Sequence, residues 1–364
     1  MTSQTISTPH PADSAFAPPP FEARGPVGEA ILTALGRGIR EAGESLGDLE
    51  RMTHDAITRS DDIIRDDDLQ VALLVLHGLH YGGVVDADDA WEWHPSLVAS
   101  RVAIERAFEA ELRRQVPVPD LPNPSAADVA AALFELTKPT PGPSASRYLA
   151  RKATEEQLKE YVVLRSVYTL KEADAQTWGI PRLPRRAKAA LMEIQTDEYG
   201  DGDPERMHSA IFARAMRGLG LDDGYAAYLD SVPAVTIASF TMMTMFGLNR
   251  SLRGAMAGHF SAYEMTSSIP NRFIAQGVRR LGFGDDVAWY FDEHVEADAV
   301  HEQIAGRDLA GGLVEAEPSL LADVMWGANT SLTVDGWGSD EALEHWEAGR
   351  SALRVPLDMT GGIR

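Results

Sequence analysis

Cysteine is absent from all 364 residues. That absence removes disulfides, thiolate zinc sites, iron–sulfur clusters and cysteine nucleophiles together. Any metal must then be held by His, Asp and Glu, the donor set suited to non-haem iron or manganese. Cationic residues are scarce as well: 33 Lys and Arg stand against 55 Asp and Glu, a formal net charge of −22. Nucleic acid and anionic membrane surfaces both select for cations, so neither is an expected partner. No apolar run is long enough to span a bilayer. The most apolar stretch, Ala234 to Leu248, has 15 residues, carries Ser and Thr, and reads as a buried helix. A nucleotide fingerprint is also missing, because the lone G-x-G near Gly200 lies between helices rather than after a strand. The first residues lack a basic stretch followed by an apolar one, so no secretory signal is read. A soluble, cytoplasmic protein is expected.

What is present is helical periodicity almost throughout, with 44% hydrophobic residues, ample for a large core. Alternating strands and a βαβ rhythm are not found. Residues 1–25, rich in Pro, Ser and Thr, read as a disordered arm. Residues 26–135 read as N-terminal helices packed on the core, or as a separate helical subdomain. Leu136 to Ser146 reads as a linker, and residues 146–355 as the main helical domain. Within it the patterning predicts a long helix from Ser146 or Thr154 toward Trp178, one over Pro184–Tyr199, and one from Pro204 to Gly218 capped by Asp203. Further helices are expected over 233–264, 271–281, 286–305, 318–332 and 339–351. The fold class is all-α, a helical bundle.

The most informative spacing is that of His294, Asp298 and His301. At about 100° per residue, steps of four and three place them within roughly a 60° arc of one helix. Two imidazoles and a carboxylate on an otherwise apolar stripe make half of a metal site. The rest must come from neighbouring helices. Helical phase nominates Glu172, Glu198, His208 and Glu264 as inward-facing. Each has an ordinary alternative: Glu172 beside Lys171 as a solvated helix-end charge, His208 as a core histidine, Glu264 as a helix-end acid capping a neighbour. Glu198 near a helix C-terminus is disfavoured by the macrodipole, which hints at another reason for its presence. Together they form four carboxylates and three imidazoles, a composition matching a two-iron carboxylate site. A ferritin-like arrangement using Glu205-x-x-His208 and Asp298-x-x-His301 ranks second, because it leaves His294 idle. His77 and His80 read as packing or hydrogen-bonded histidines.

This residue set resembles the haem-oxygenase-like diiron oxidases and oxygenases, the iron-containing redox enzyme family. That family carries E, E-x9-H, E and H-x3-D-x2-H on its core helices. Here Glu172, Glu198 with His208, Glu264, and His294, Asp298 and His301 stand at those positions, and YEMTSSIPNR around Glu264 is similar in context. The resemblance covers roughly residues 150–335. It implies a haem-oxygenase-like bundle, two Fe(II) ions held by those seven residues, and O2 as co-substrate. The implied activity is oxidation of a small amine or aliphatic amino acid by N-oxygenation or C–H abstraction, in natural-product biosynthesis, with an external reductant where the reaction needs one. Met242, Met243, Met245 and Phe246 are read either as a cavity wall or as core, with core the better reading at most positions. Arg272 is nominated to pair with a substrate carboxylate. A homodimer is preferred as the assembly. Two rivals remain: a haem-binding member of the same fold, which leaves the acid stripe unexplained, and an iron-binding helical protein without turnover.

Overall fold

The computed structural model describes residues 21–39, 46–82 and 84–357, except the side chains of Glu296, Asp298 and Ala299. Among the described residues there are helices and turns and no strand. In chain order the helices are α1 (Pro26–Leu35), α2 (Leu49–Arg59), α3 (Asp67–Gly78), α4 (Pro95–Gln115), α5 (Ala126–Leu136), α6 (Ala145–Arg151), α7 (Glu155–Thr169) and α8 (Asp174–Thr177). They continue with α9 (Arg185–Glu198), α10 (His208–Gly218), α11 (Ala234–Leu248), α12 (Arg253–Arg280), α13 (Asp285–Ile304), α14 (Gly311–Ala316) and α15 (Leu321–Glu347). No helix is long and apolar enough to cross a membrane among the described residues.

Buried apolar residues from Phe21 to Leu353 form one contiguous cluster. α11 is buried nearly all round, as its uniformly apolar sequence requires, and packs on α3, α8, α12 and α15. α12 packs chiefly on α13 and α15, and α10 also lies against α13. α12 and α15 approach backbone to backbone: a Cβ on Gly258 would sit 1.8 Å from the Val324 carbonyl oxygen, so only glycine fits there. Packing begins ahead of α1, since Phe21 is buried and Arg24 donates to the carbonyl of Val232 at 2.7 Å. Residues 1–20 lie outside the described residues.

Several predicted boundaries shift, for identifiable reasons. The long helix expected from 146 to 178 is three. Thr154 starts α7 with a reciprocal capping box, its Oγ1 accepting from the Gln157 N–H while Gln157 Oε1 accepts from the Thr154 N–H. α7 then stops before Glu172, where Ala173 takes a left-handed φ of 74°. The helix expected over 233–264 breaks at Asn249, whose side chain donates to the Met245 carbonyl and to Glu105. Conversely, α12 runs straight through Pro270, on a stretch of intermediate or full exposure where water can satisfy the carbonyl that loses its partner. Glu264 is therefore in the middle of α12, not at a helix end. The predicted helices 318–332 and 339–351 fuse into α15.

Candidate metal centre

Local breaks in the chain put acids and imidazoles at helix ends around one buried point. Glu172 lies in the turn after α7, Glu198 is the last residue of α9, and His208 is the first of α10. The reversal between the last two is tight. Gly200, Asp201 and Gly202 all have positive φ, and a Cβ on Gly200 would lie 2.6 Å from the backbone of Arg206 and Met207. That close approach folds the chain back so that His208 returns to Glu198. α10 begins at His208 rather than at the predicted Pro204, while Asp203 accepts from the Glu205 N–H within the preceding turn. α12 contributes Glu264, and α13 contributes His294 and His301, two turns apart on one stripe.

Six of the seven nominated residues converge, and all six are buried. Asp298 lies on α13, but its side chain is outside the described residues. Donor atoms of Glu172, Glu198, His208 and His294 all lie within 4.8 Å of one another, as do those of Glu198, Glu264 and His301. Glu198 belongs to both sets. Its Oε2 is 2.8 Å from His208 Nδ1, and its Oε1 is 3.9 Å from His301 Nδ1. His301 Nδ1 is also 3.2 Å from Glu264 Oε2, and His294 Nε2 is 3.6 Å from Glu172 Oε1.

Residues that the spacing did not nominate orient these groups. The Tyr290 carbonyl accepts from His294 Nδ1 at 2.7 Å, which leaves the Nε2 lone pair facing Glu172. The Tyr290 hydroxyl reaches both Glu172 oxygens at 2.9 Å. Asp197 Oδ2 lies 2.9 Å from His301 Nε2, the outer-carboxylate arrangement typical of metal-bound imidazoles. Helical phase points Asp197 outward, so only the sequence adjacency to Glu198 hinted at it.

The electrostatics describe a site built for cations. Burial alone would raise the Glu198 carboxyl, but His208, His294 and His301 outweigh it and hold Glu198 below the usual carboxylate range. Burial lowers and Glu198 raises His208, and the net effect is upward. His301 is opposed by burial yet pushed up to about 10 by Glu264, Asp197 and Glu198. Burial raises Glu264, and the neighbouring Glu198 charge adds to that. Three glutamates gathered out of water need positive charge among them.

The donors also fit a metal in their geometry. Glu198 Oε2 and His208 Nδ1 are buried and 2.8 Å apart, yet neither has a partner in hydrogen-bond geometry. Two donors about 2.1 Å from a shared ion and at right angles lie about 3.0 Å apart, which is what an ion between them would require. Mixed oxygen and imidazole donors with no sulfur suit non-haem iron. The ferritin-like alternative is set aside, because Glu205 is 80% exposed at its side chain and pairs with Arg214. His77 and His80 bond to Glu105 and Glu92 respectively, as hydrogen-bonded histidines.

Two adjoining chambers lie over the C-terminal half of α7. The inner, of about 80 Å³, is lined by Arg165, Tyr168, Ser239 and Asp335 among others; the outer, of about 310 Å³, shares Leu164 and Thr236 with it. Met242, Met243, Met245 and Phe246 line neither and are ordinary buried core. Arg272 is exposed on α12 and lines neither chamber.

Comparison with known proteins defines the class. Residues 159–336, just under half of the chain and the part that carries all the site residues, match the model of the iron-containing redox enzyme family. The all-α bundle agrees with the haem-oxygenase type of fold, and the match together with the buried Glu/His cluster supports an oxidoreductase that binds iron. Among curated proteins, the chain is similar to the nitrosourea synthase of Streptomyces achromogenes subsp. streptozoticus. The two are 28% identical over 131 residues, which is 36% of this chain and 28% of that protein's length.

Proposed function

We propose that this protein is a non-haem diiron oxidase or oxygenase that uses O2 to oxidise a small amine or aliphatic amino acid, in natural-product biosynthesis. The observation that carries the reading is Glu198, whose two carboxylate oxygens face two separate groups of buried donors. A carboxylate in that position would hold two ions at once. Glu172, His208 and His294 would complete one ion's protein ligands, and Glu264 and His301 would hold the other; Asp298, which shares α13 with His301, is a further candidate ligand through the family pattern. Two bound irons supply the electrons with which O2 is reduced.

The protein's own groups prepare that chemistry. Tyr290 fixes both Glu172 and the His294 tautomer, and Asp197 fixes His301. Burial keeps bulk water from the donors. Insertion of one oxygen atom into a substrate, with the other leaving as water, consumes two electrons and two protons, so an external reductant is part of the oxygenase reading. In an oxidase reaction the substrate supplies those electrons. The relative's name describes a product with an N-nitroso group, which supports nitrogen oxidation as the reaction class.

Anaerobic loading with Fe(II), metal analysis and O2-uptake measurements test the proposal together. The expected result is about two irons per chain, with Glu264→Ala retaining about one and Glu198→Ala retaining neither tightly. Addition of O2 to the loaded wild type is expected to give a transient visible band. Iron binding without O2 consumption would leave an iron-binding protein, and a wild type that takes one iron or none would refute the diiron centre.

A further inference from the structure

The inner chamber holds two opposite charges that do not pair with each other. Arg165 on α7 donates to the Tyr263 hydroxyl and lies over the rings of Tyr168 and Tyr263 at 5.4 and 5.6 Å. Asp335 on α15 accepts from Ser239 Oγ at 2.5 Å. A guanidinium has five N–H donors. One is given to Tyr263, and no carboxylate forms an ion pair with the others among the described residues. A partly buried cation and a partly buried anion, lining one chamber yet joined to different neighbours, leave a gap that a ligand with both charges would fill.

The chamber is also next to the metal centre. Arg165 and Tyr168 lie one turn apart near the C-terminal end of α7, and Glu172 lies in the turn that follows it. Tyr168 lines the chamber on that side and meets Tyr263 edge to face at 5.2 Å behind it. Tyr263 immediately precedes Glu264. Arg165 and Glu172 both act on Tyr290, which hydrogen-bonds Glu172. Cavity size fits a head group: about 80 Å³ holds a few waters' worth of volume, and the outer chamber provides the way in.

We propose that the inner chamber is the substrate-recognition subsite and binds the head group of an α-amino acid, its carboxylate on Arg165 and its ammonium on Asp335. This assignment rests on the diiron reading for its purpose, but not for its test. Arg165 suits the carboxylate, because its planar fork matches two oxygens while lysine offers only a point charge. Asp335 is held in place by Ser239; burial raises its carboxyl, while the Arg165 charge and the Ser239 hydrogen bond favour the carboxylate. Either residue alone would bind a simple acid or a simple amine; the pair selects the zwitterion.

Calorimetric titration of the full chain with three matched probes tests this. L-Norleucine carries both charges, hexanoate lacks the ammonium, and pentylamine lacks the carboxylate. Norleucine is expected to bind at least about tenfold more tightly than either. Arg165→Gln should weaken norleucine and hexanoate by at least about tenfold and leave pentylamine unchanged, whereas Asp335→Asn should weaken norleucine and pentylamine and leave hexanoate unchanged. Arg165→Lys keeps the charge and loses the fork, so it should fall between wild type and Arg165→Gln, and it decides the matter if the glutamine variant does not fold. Equal binding of the three probes, no binding of norleucine, or unchanged norleucine affinity in a folded variant overturns the proposal. Iron content should be the same in all variants. Selective norleucine binding by a chain that takes fewer than two irons would sink the diiron reading alone, and lost selectivity with iron intact would sink this one alone.

Discussion

Replacing Gly200 with alanine should remove an iron ligand without touching a ligand residue. Gly200 has φ of +68°, a conformation that costs an alanine about 1–2 kcal/mol. The added Cβ would lie 2.6 Å from the Arg206 carbonyl carbon and the Met207 nitrogen. Ordinary contact begins near 3.4 Å, so this backbone must retreat by about 0.8 Å. His208 is the next residue, and metal–ligand distances tolerate only about 0.2 Å. The site formed by Glu172, Glu198, His208 and His294 should therefore fail while the chain still folds, since the cost is a fraction of a typical 5–15 kcal/mol stability. Iron per chain after anaerobic loading should drop from about two to about one. Gly202→Ala is the internal control: its φ is +86°, but its Cβ would meet nothing within 4 Å. It carries the same conformational cost without the displacement and should keep both irons. Equal and full iron content in the two variants would refute the argument that this turn sets the position of His208.

Three further outcomes are expected. Asp197→Asn should weaken binding of the ion nearest His301 by about 10- to 100-fold in a metal titration and leave the other unchanged, because only His301 depends on that carboxylate. Burial holds His259 down to about 3, so the folded chain keeps it neutral where the unfolded chain protonates it. Its stability contribution is present above the unfolded value of about 6.5 and is lost as pH falls toward 3, about 2 kcal/mol by pH 5. Urea unfolding at pH 7 and pH 5 should show that loss in the wild type and not in His259→Gln; parallel curves would contradict it. Glu105 accepts from His77 at 2.8 Å, Arg101 at 2.9 Å and Asn249 at 3.2 Å in a buried pocket away from the metal centre. Glu105→Ala should cost about 3–5 kcal/mol in chemical denaturation while iron content stays constant.

The parts of the site that were legible in the sequence are those written in local periodicity. His294 and His301 sit on one unbroken helix, so their common face follows from spacing alone. Glu198 and His208 are also close in sequence, but their meeting depends on three successive positive-φ residues, which the GDGDP run announces as a turn without giving its direction. Glu264 was nominated for the right face and placed at the wrong point of its helix. Pro270 reads as a terminator, and only the packing of α12 on α13 and α15 carries the helix past it. The Met and Phe of α11 show the opposite case: apolar on every side, they carry no phase, so core and cavity wall cannot be told apart until neighbours are in place.

Ligands at helix ends and ligands within a helix do different work in this centre. Glu172, Glu198 and His208 each lie at or next to a break, on backbone that a few degrees of turn geometry can move. Glu264, His294 and His301 lie on α12 and α13, which pack extensively on each other. The rigid pair fixes one wall and the turns close against it. Glu198 is the residue that belongs to both donor sets, and it sits on the adjustable side. A change in the α9–α10 turn therefore moves the shared carboxylate and His208 together, altering the spacing of the two donor sets rather than the identity of their members. In this fold the turn geometry, more than the choice of donors, sets how the two donor sets face each other.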